Sequence, residues 1–330
     1  MPQATGALTR HVAVTQTALR ALPGVVDAEV LYVQTFDYND AEPLEQDPTL
    51  AGGFRGEMKG ERGRLDPSGS AVVTVGTSIG FWLKHLIGEP TTTGSGAPYT
   101  HLFQVSAAKP LPVAWAHERD YSSRIAVPGR YVRSLDVRIA SASFAFQTGS
   151  PFQQATFNLR GMTRRQLPAT PMDAEPTDYG HSAFALAGLT LQLDSGATQV
   201  CVESLTLNWD NDLDPDLYCL NDGGQRHDLP EGMVMVTGEG VAQFDSPALL
   251  TKAQADTSLA LQIVLKRGTG AGTVGNEQLT ITIPLSVLEA PTPGVTGPRG
   301  LKQPFSFRAH RAAGAELGVT VELKSPRAVI

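Results

Sequence analysis

Four aspartates alternate in the segment WDNDLDPD, at Asp210, Asp212, Asp214 and Asp216, which is the spacing with which a calcium loop presents its carboxylates. The frame fails at two points. Its sixth position is Pro215, where the sharp turn needs glycine, and its twelfth is Asn221, where a bidentate glutamate would close the shell. Asp210, Asp212 and Asp214 are thus metal candidates by spacing alone, and the expectation is a solvated acidic loop at the end of a strand, with no metal and no cofactor.

Other chemistry is equally sparse. The histidines, His11, His85, His101, His117, His181, His227 and His310, form no H-E-x-x-H and no i, i+4 pair, and are expected at the surface or half-buried. No G-x-S-x-G elbow occurs. The run RGTGAGTVG, ending at Gly275, lacks the Lys-Ser/Thr of a phosphate loop and follows a strand without leading into a helix, so it reads as a hairpin loop. Cys201 and Cys219 have no metal-type spacing and read as two isolated thiols of a reducing compartment. Nothing here marks an enzyme.

The elements around these residues are strands. Of 330 residues, 41% are hydrophobic and only 18% charged, with 33 Gly and 23 Pro, a composition that disfavours helical bundles and coiled coils. The net charge of −7 opposes a protein that grips phosphates. No apolar run reaches membrane-spanning length, and the start shows no secretory signal, so synthesis and retention in the cytosol are expected. Period-two alternation predicts strands at Val30–Thr35, Ala71–Val75, His101–Val105, Leu135–Ala140, Ser143–Gln147, Ala155–Leu159, Ala187–Leu193, Val202–Trp209, Met233–Phe244, Leu259–Lys266, Leu279–Pro284, Phe305–His310 and Val319–Lys324. Helical spacing predicts Ser78–Ile87, stopped by Gly88 and Pro90, and a helix capped by Ser246 with Pro247 in its first turn. Leu8–Leu22 fits a third helix or a strand.

The parts occur twice in the same order: strand, long loop, strand, helix, then strands closing on a hairpin. VLYVQTFDYNDAEP through SIGFWLKHLIG matches SLTLNWDNDLDPD through SPALLTKAQAD, and each half is expected to close on a hairpin whose first arm is Phe-x-Phe, at Phe144/Phe146 and at Phe305/Phe307. The Pro-bearing stretch from Thr163 to Ser182 separates the copies. The expected organisation is mainly β: two tandem sandwich or barrel domains, 1–168 and 169–330, each with one short flanking helix.

The phrases GEMKGERGRLDPSGSAVVTVGTSIGFWLKHLIG and RSLDVRIASASFAFQTGSPFQQATFNLRGM resemble the tail tube proteins of long-tailed bacteriophages, and ESLTLNWDNDLDPD, LPEGMVMVTGEGVAQFDSPALLTKA and LTITIPLSVLEAP are similar to the same group. The resemblance spans Val30 to Lys324 and departs from the simplest members in having two tube domains. It implies a structural virion protein of the tail, made and assembled in the host bacterial cytoplasm, with no catalysis. Rings of such subunits stack into a hollow tube for DNA ejection, and a two-domain chain would close as a homotrimer with pseudo-sixfold symmetry, with a hexamer as the runner-up. The implied partners are further copies of itself, the tape measure protein and phage DNA in the lumen without specific binding, and the tail terminator and distal tail proteins, with no membrane. A non-contractile tail is the expectation.

Alternating polar residues supply candidates for the lumen or a subunit interface: Arg133, Asp136 and Arg138, and Glu203, Thr206 and Asn208. Loops expected to dock on the next ring are Asp37–Gly53 (with Asp37 and Asp40), Gly149–Gln154, Asp210–Asp228 (with Asp216 and Asp222) and Gly268–Gly275. The rival readings are a tail terminator or distal tail ring on the same fold, a carbohydrate- or receptor-binding β module of the tail tip, and a hydrolase on a β scaffold. Three Trp and seven Tyr leave little for sugar stacking.

Overall fold

The computed structural model describes residues 6–46, 59–106, 108–122, 125, 130–194, 201–295 and 300–330. The first half of the chain contributes β1 (Arg10–Gln16), β2 (Glu29–Leu31), β3 (Thr35–Ala41) and two short paired strands, β4 (Leu44–Glu45) and β5 (Glu61–Arg62). β6 (Asp66–Thr74) then leads into helix α1 (Gly80–Ile87), followed by β7 (Thr91–Thr93), β8 (Tyr99–Gln104), β9 (Ala114–Asp120), β10 (Tyr131–Gln147) and β11 (Gln154–Gly161). The second half contributes β12 (Leu189–Leu193), β13 (Val202–Asp210), β14 (Met235–Gln243), α2 (Ala248–Gln254), β15 (Leu259–Lys266), β16 (Gln278–Glu289), β17 (Lys302–Ala309) and β18 (Thr320–Ser325). The chain is mainly β, folded as a β-sandwich, as its alternation predicts.

All ladders between these strands are antiparallel, and two paths have the same shape. In the first half the hydrogen-bonded order is β3-β6-β11-β10-β9-β1. In the second it is β13-β14-β17-β16-β15-β12. The long strands β10 and β16 belong to both layers of the sandwich. Each carries a register shift, β10 between Ser134 and Val137 against β9, and β16 opposite Leu259/Leu261 of β15. An extra residue of this kind bends and twists a strand, which lets one strand leave the outer layer and enter the inner one.

Two ladders weld the halves together. β10 pairs with β13 from Ser141↔Asp210 to Gln147↔Ser204, and β8 pairs with β18 from Gln104↔Thr320 to Tyr99↔Ser325. Beyond β18 the chain returns to α1, where Ile330 packs on Gly80 and its carbonyl accepts a hydrogen bond from Lys84 Nζ at 3.1 Å. The stretch after the expected boundary near Ala169 also lies on the first half. Met172 N donates to Glu118 Oε1 at 2.9 Å, and Phe184 N to the Val75 carbonyl at 3.0 Å.

Local differences from the sequence reading have simple causes. Leu135–Ala140 and Ser143–Gln147 are one continuous strand, because no turn residue intervenes and the extra residue between Ile139 and Ser141 is absorbed as a bulge against β11. Val30–Thr35 is divided between β2 and β3. Leu8–Leu22 holds strand β1, where the β-branched Val12, Val14 and Thr15 favour extended backbone. Pro247 sits at the N-cap of α2, and no side chain caps that helix.

The core of the first half is aromatic. Trp82 of α1 stacks on Phe157 with ring centroids 4.8 Å apart, and Trp115 meets Phe81 and Trp82 edge-on at 5.3 and 5.8 Å. All but one residue of α1 are buried, whereas α2 buries only Leu249. In the second half Phe305 and Phe307 lie across Gly240 and Gly238. A Cβ at Gly240 would come within 2.6 Å of the Phe305 ring, so these glycines make room for the two rings.

Candidate functional site

The inner layer is one sheet of eight strands in the order β3-β6-β11-β10-β13-β14-β17-β16. Its two faces differ because every strand alternates. One face is apolar and buried, carrying Tyr38, Ala71, Phe157, Phe144, Leu205, Leu207, Phe305 and Phe307 among others. The other is polar. One row across the strands reads Thr35, Val72, Thr156, Ser143, Asn208, Thr237, Arg308 and Val287. A neighbouring row reads Thr74, Gln154, Ala145, Thr206, Glu239, Ser306 and Glu289. None of these residues is buried.

The charges on this face lean to acid. Arg160 is paired with Asp66 at 3.4 Å, Lys302 with Glu203, and Arg138 with Asp228 at 3.8 Å. Lys302 and Gln243 donate to Glu203 and hold its carboxyl below the usual range. Among the described residues no cation pairs with Asp37, Glu239 or Glu289. A face whose bases, Arg308 apart, are held in ion pairs, and which carries several acids and many hydroxyl and amide groups, disfavours phosphate binding.

Of the lumen or interface candidates read from sequence, Thr206 and Asn208 lie on this face and Glu203 borders it in its ion pair. Arg138 turns away at its tip, donating to the Val113 carbonyl at 2.6 Å and to the Leu229 carbonyl. Arg133 and Asp136 reach no surface. Arg133 is 9% exposed and pairs with Glu118, itself 1% exposed, at 2.7 Å. Asp136 is fully buried at the bend of β10 with φ +57°, accepting from Gln16 Nε2 at 3.1 Å and from Arg20 N at 2.6 Å. Alternation was misleading there because the extra residue of the bend reverses which side chains face inward.

Asp37 and Asp40, expected in a loop, belong to strand β3, and residues 47–53 of that loop lie outside the described residues. Gly149 lies in the β10–β11 turn and Gln154 opens β11, while Gly268 and Gly275, both with positive φ, shape the β15–β16 loop. Asp216 and Asp222 lie in the β13–β14 loop. Two aspartates of WDNDLDPD spend a carboxylate oxygen on local turns, Asp210 Oδ1 accepting from Asp212 N at 2.9 Å and Asp214 Oδ1 from Asp216 N at 3.0 Å, while Asp216 pairs with Arg64 at 3.4 Å. Cys219, Asp222 and His227 do approach one another, with ligating atoms within 4.8 Å. His227 at 2.9 Å and Arg20 at 3.3 Å already hold Asp222, lowering its carboxyl, and the guanidinium opposes a cation. Both cysteines are free and exposed.

Sequence reasoning missed a buried polar cluster in the outer layer of the first half. His11 and His117 lie 3.1 Å apart, Phe36 stacks on His117 at 4.0 Å, and His85 bonds Thr15 Oγ1 at 3.1 Å. His85, His101 and His117 are buried, contrary to expectation. Burial holds His85 and His117 well below the usual imidazole range and, with Arg119 nearby, lowers His11 to about 4. No spacing in the chain announces this cluster, because it is assembled across strands from β1, β3, β9 and α1.

No curated protein matches the chain. The phage tail tube protein family matches residues 7–309, nearly the whole length, so the chain belongs to the phage tail tube protein family as a structural component of the virion tail.

Proposed function

We propose that this chain is the major tail tube subunit and that its two halves are copies of one tube domain. Three chains close into a ring with pseudo-sixfold symmetry, and rings stack into the conduit through which DNA leaves during ejection. The observation that carries this reading is the inner sheet, built from two four-strand blocks of identical order and presenting one polar, acid-leaning face. Lining a lumen with that face lets DNA and the tape measure protein pass without sticking, since binding to a polyanion is driven by lysine and arginine, which this face, Arg308 apart, keeps in ion pairs. The β13–β14 and β15–β16 loops reach toward neighbouring rings, and the tail terminator and distal tail proteins cap the two ends. Assembly takes place in the host bacterial cytoplasm.

Electron cryo-microscopy of the purified protein tests this. The expected result is stacked rings with a central hole, three chains per ring and six similar lobes. Six chains per ring would replace the trimer by a hexamer and leave the tube intact. A single terminal ring that never stacks would point to a terminator or distal ring. A protein that stays monomeric at high concentration would end the tube reading.

A further inference from the structure

The joint inside the chain indicates where a joint between chains lies. β10 leaves β9 at Val137↔Trp115 and from Ser141 onward runs beside β13. Thr148 N donates to the Glu203 carbonyl at 3.2 Å and Asn211 N to the Ala140 carbonyl at 2.9 Å, so by alternation Ala142, Phe144 and Phe146 turn their backbone groups to β13. β16 repeats this geometry in the second half. Counted by their partners, Ser286↔Ala309 and Glu289↔Ser306 occupy the places of Val137↔Gly161 and Ser141↔Asn158, β10 carrying one extra residue between Ile139 and Ser141 that β16 lacks, and β16 leaves β15 at Leu259↔Ser286. Among the described residues, no strand lies on that side of β16 beyond Ser286.

The strand that would fill the gap is β3 of another copy. β3 stands to β6 as β13 stands to β14, with Tyr38↔Gly69 matching Leu207↔Gly238. Both strands start with an extra residue at the same place: Gln34 N donates to the Val72 carbonyl at 2.8 Å while Thr35 is also opposite Val72, and the β13–β14 register shifts between Val202 and Ser204. Yet among the described residues β13 has partners on both sides and β3 only on one. Leu205, on the doubly paired strand, is 2% exposed, whereas its counterpart Phe36 is only half-buried.

Resting on the tube reading above, we infer that β3 of one copy pairs antiparallel with residues 289–295 of the next, Ala41 opposite Glu289 just as Asp210 is opposite Ser141. The prolines of that segment agree with the polarity. Pro291 and Pro293 fall at the places of Ser143 and Ala145, which face β11, so the missing N–H groups lie on the β17 side, where the ladder stops at Glu289. Ala290, Thr292 and Gly294 keep their N–H groups on the open side. The contact joins two different edges of the same chain, a head-to-tail interface of the kind that closes rings and removes free strand edges.

Disulfide trapping tests the register. In a Cys201→Ser, Cys219→Ser background, Ala41→Cys combined with Glu289→Cys, both at exposed positions, should on oxidation give a covalent ladder on a denaturing gel that ends at the number of chains in one ring. Asn39→Cys with Pro291→Cys, the next like pair along the ladder, should behave the same way. Each single variant, and Thr35→Cys with Glu289→Cys, six residues out of register, should give no ladder. Tubes visible by microscopy with neither matched pair cross-linked would overturn this joint while leaving the tube reading standing. Cross-linking by the mismatched pair as readily as by the matched ones would also overturn it. If the wild-type chain forms no assembly at all, the tube reading falls first and the joint with it.

Discussion

At matched places on β9/β10 and β15/β16 the two halves solve the same problem with different chemistry. Glu118 of β9 faces Arg133 of β10 as a buried ion pair, whereas Gln262 of β15 faces Thr282 of β16 through a neutral hydrogen bond of 3.3 Å. His11, Arg119 and His117 stand where the second half has Leu191, Ile263 and Leu261. The strand order and the place of the bend against β9 and β15 are nevertheless the same, although β10 carries a second extra residue between Ile139 and Ser141. Backbone path therefore follows from alternation and from where the extra residues fall, while interior chemistry follows from what covers each half. The first half is covered by α1, by the stretch from Met172 to Phe184 and by the end of the chain, so its polar groups are desolvated and must find partners. The second half has a single small helix with one buried residue, and its equivalent groups stay neutral.

The ion pair gives the largest test of this contrast. Glu118→Ala leaves Arg133 buried and unpaired and should cost about 3–5 kcal/mol, whereas Gln262→Ala should cost about 1 kcal/mol, both read from urea unfolding. Installing the second half's solution, Glu118→Gln with Arg133→Thr, should cost less than Glu118→Ala alone. If it costs more, the contrast is one of packing and not of charge.

Titration gives the next effect. The folded chain holds His11 at about 4, so it binds fewer protons there than the unfolded chain does below 6.5. Stability is then fully present above pH 6.5 and falls as pH drops toward 4, by about 3 kcal/mol for His11 alone at the end of that window, with His117 and His85 adding in the same direction. Replacing His117 by the leucine that the second half uses, His117→Leu, should flatten this slope in melts from pH 7 to pH 4. An unchanged slope would place the acid sensitivity elsewhere.

The smallest effect concerns the floor beneath the aromatic rings. Gly240→Ala pushes on Phe305 and should cost about 2 kcal/mol. The matched change in the first half, Ala71→Gly beneath Phe157, should cost about 0.5–1 kcal/mol through chain entropy. Equal costs in thermal melts would mean that the two floors are not as different as their ring contacts imply.

Much of this architecture can be read from alternation and turn residues. The β13 run SLTLNWD and the β15 run LALQIVLK alternate cleanly and appear as strands at nearly the expected ends, and both helices form close to where helical spacing places them, though neither has a side-chain cap. A like order of strands in the two halves is expected from the sequence and seen in the two ladder paths, but the expected closing match lies one strand out of phase. Phe305 and Phe307 pair in β17 at the places of Phe157 and Leu159 in β11, not of Phe144 and Phe146 in β10. The offset arises from β8, which has no counterpart after α2 and pairs with β18 instead of β9. Thr206 and Asn208 could be placed on an exposed face because β13 is regular in that stretch. Asp136 could not, because a bend inverts the pattern, and the histidine cluster could not, because its members meet only through cross-strand register.

The ladder between β8 and β18 also bears on how the chain is made. Leu102 pairs with Glu322 and His101 with Leu323, partners separated by the last part of the first half and nearly all of the second. On the ribosome, the first half therefore emerges long before the strand that covers β8 and the residues that cover α1. Its aromatic helix must wait partly uncovered, which favours slow, late consolidation and makes the incomplete nascent chain the species most prone to stick to others.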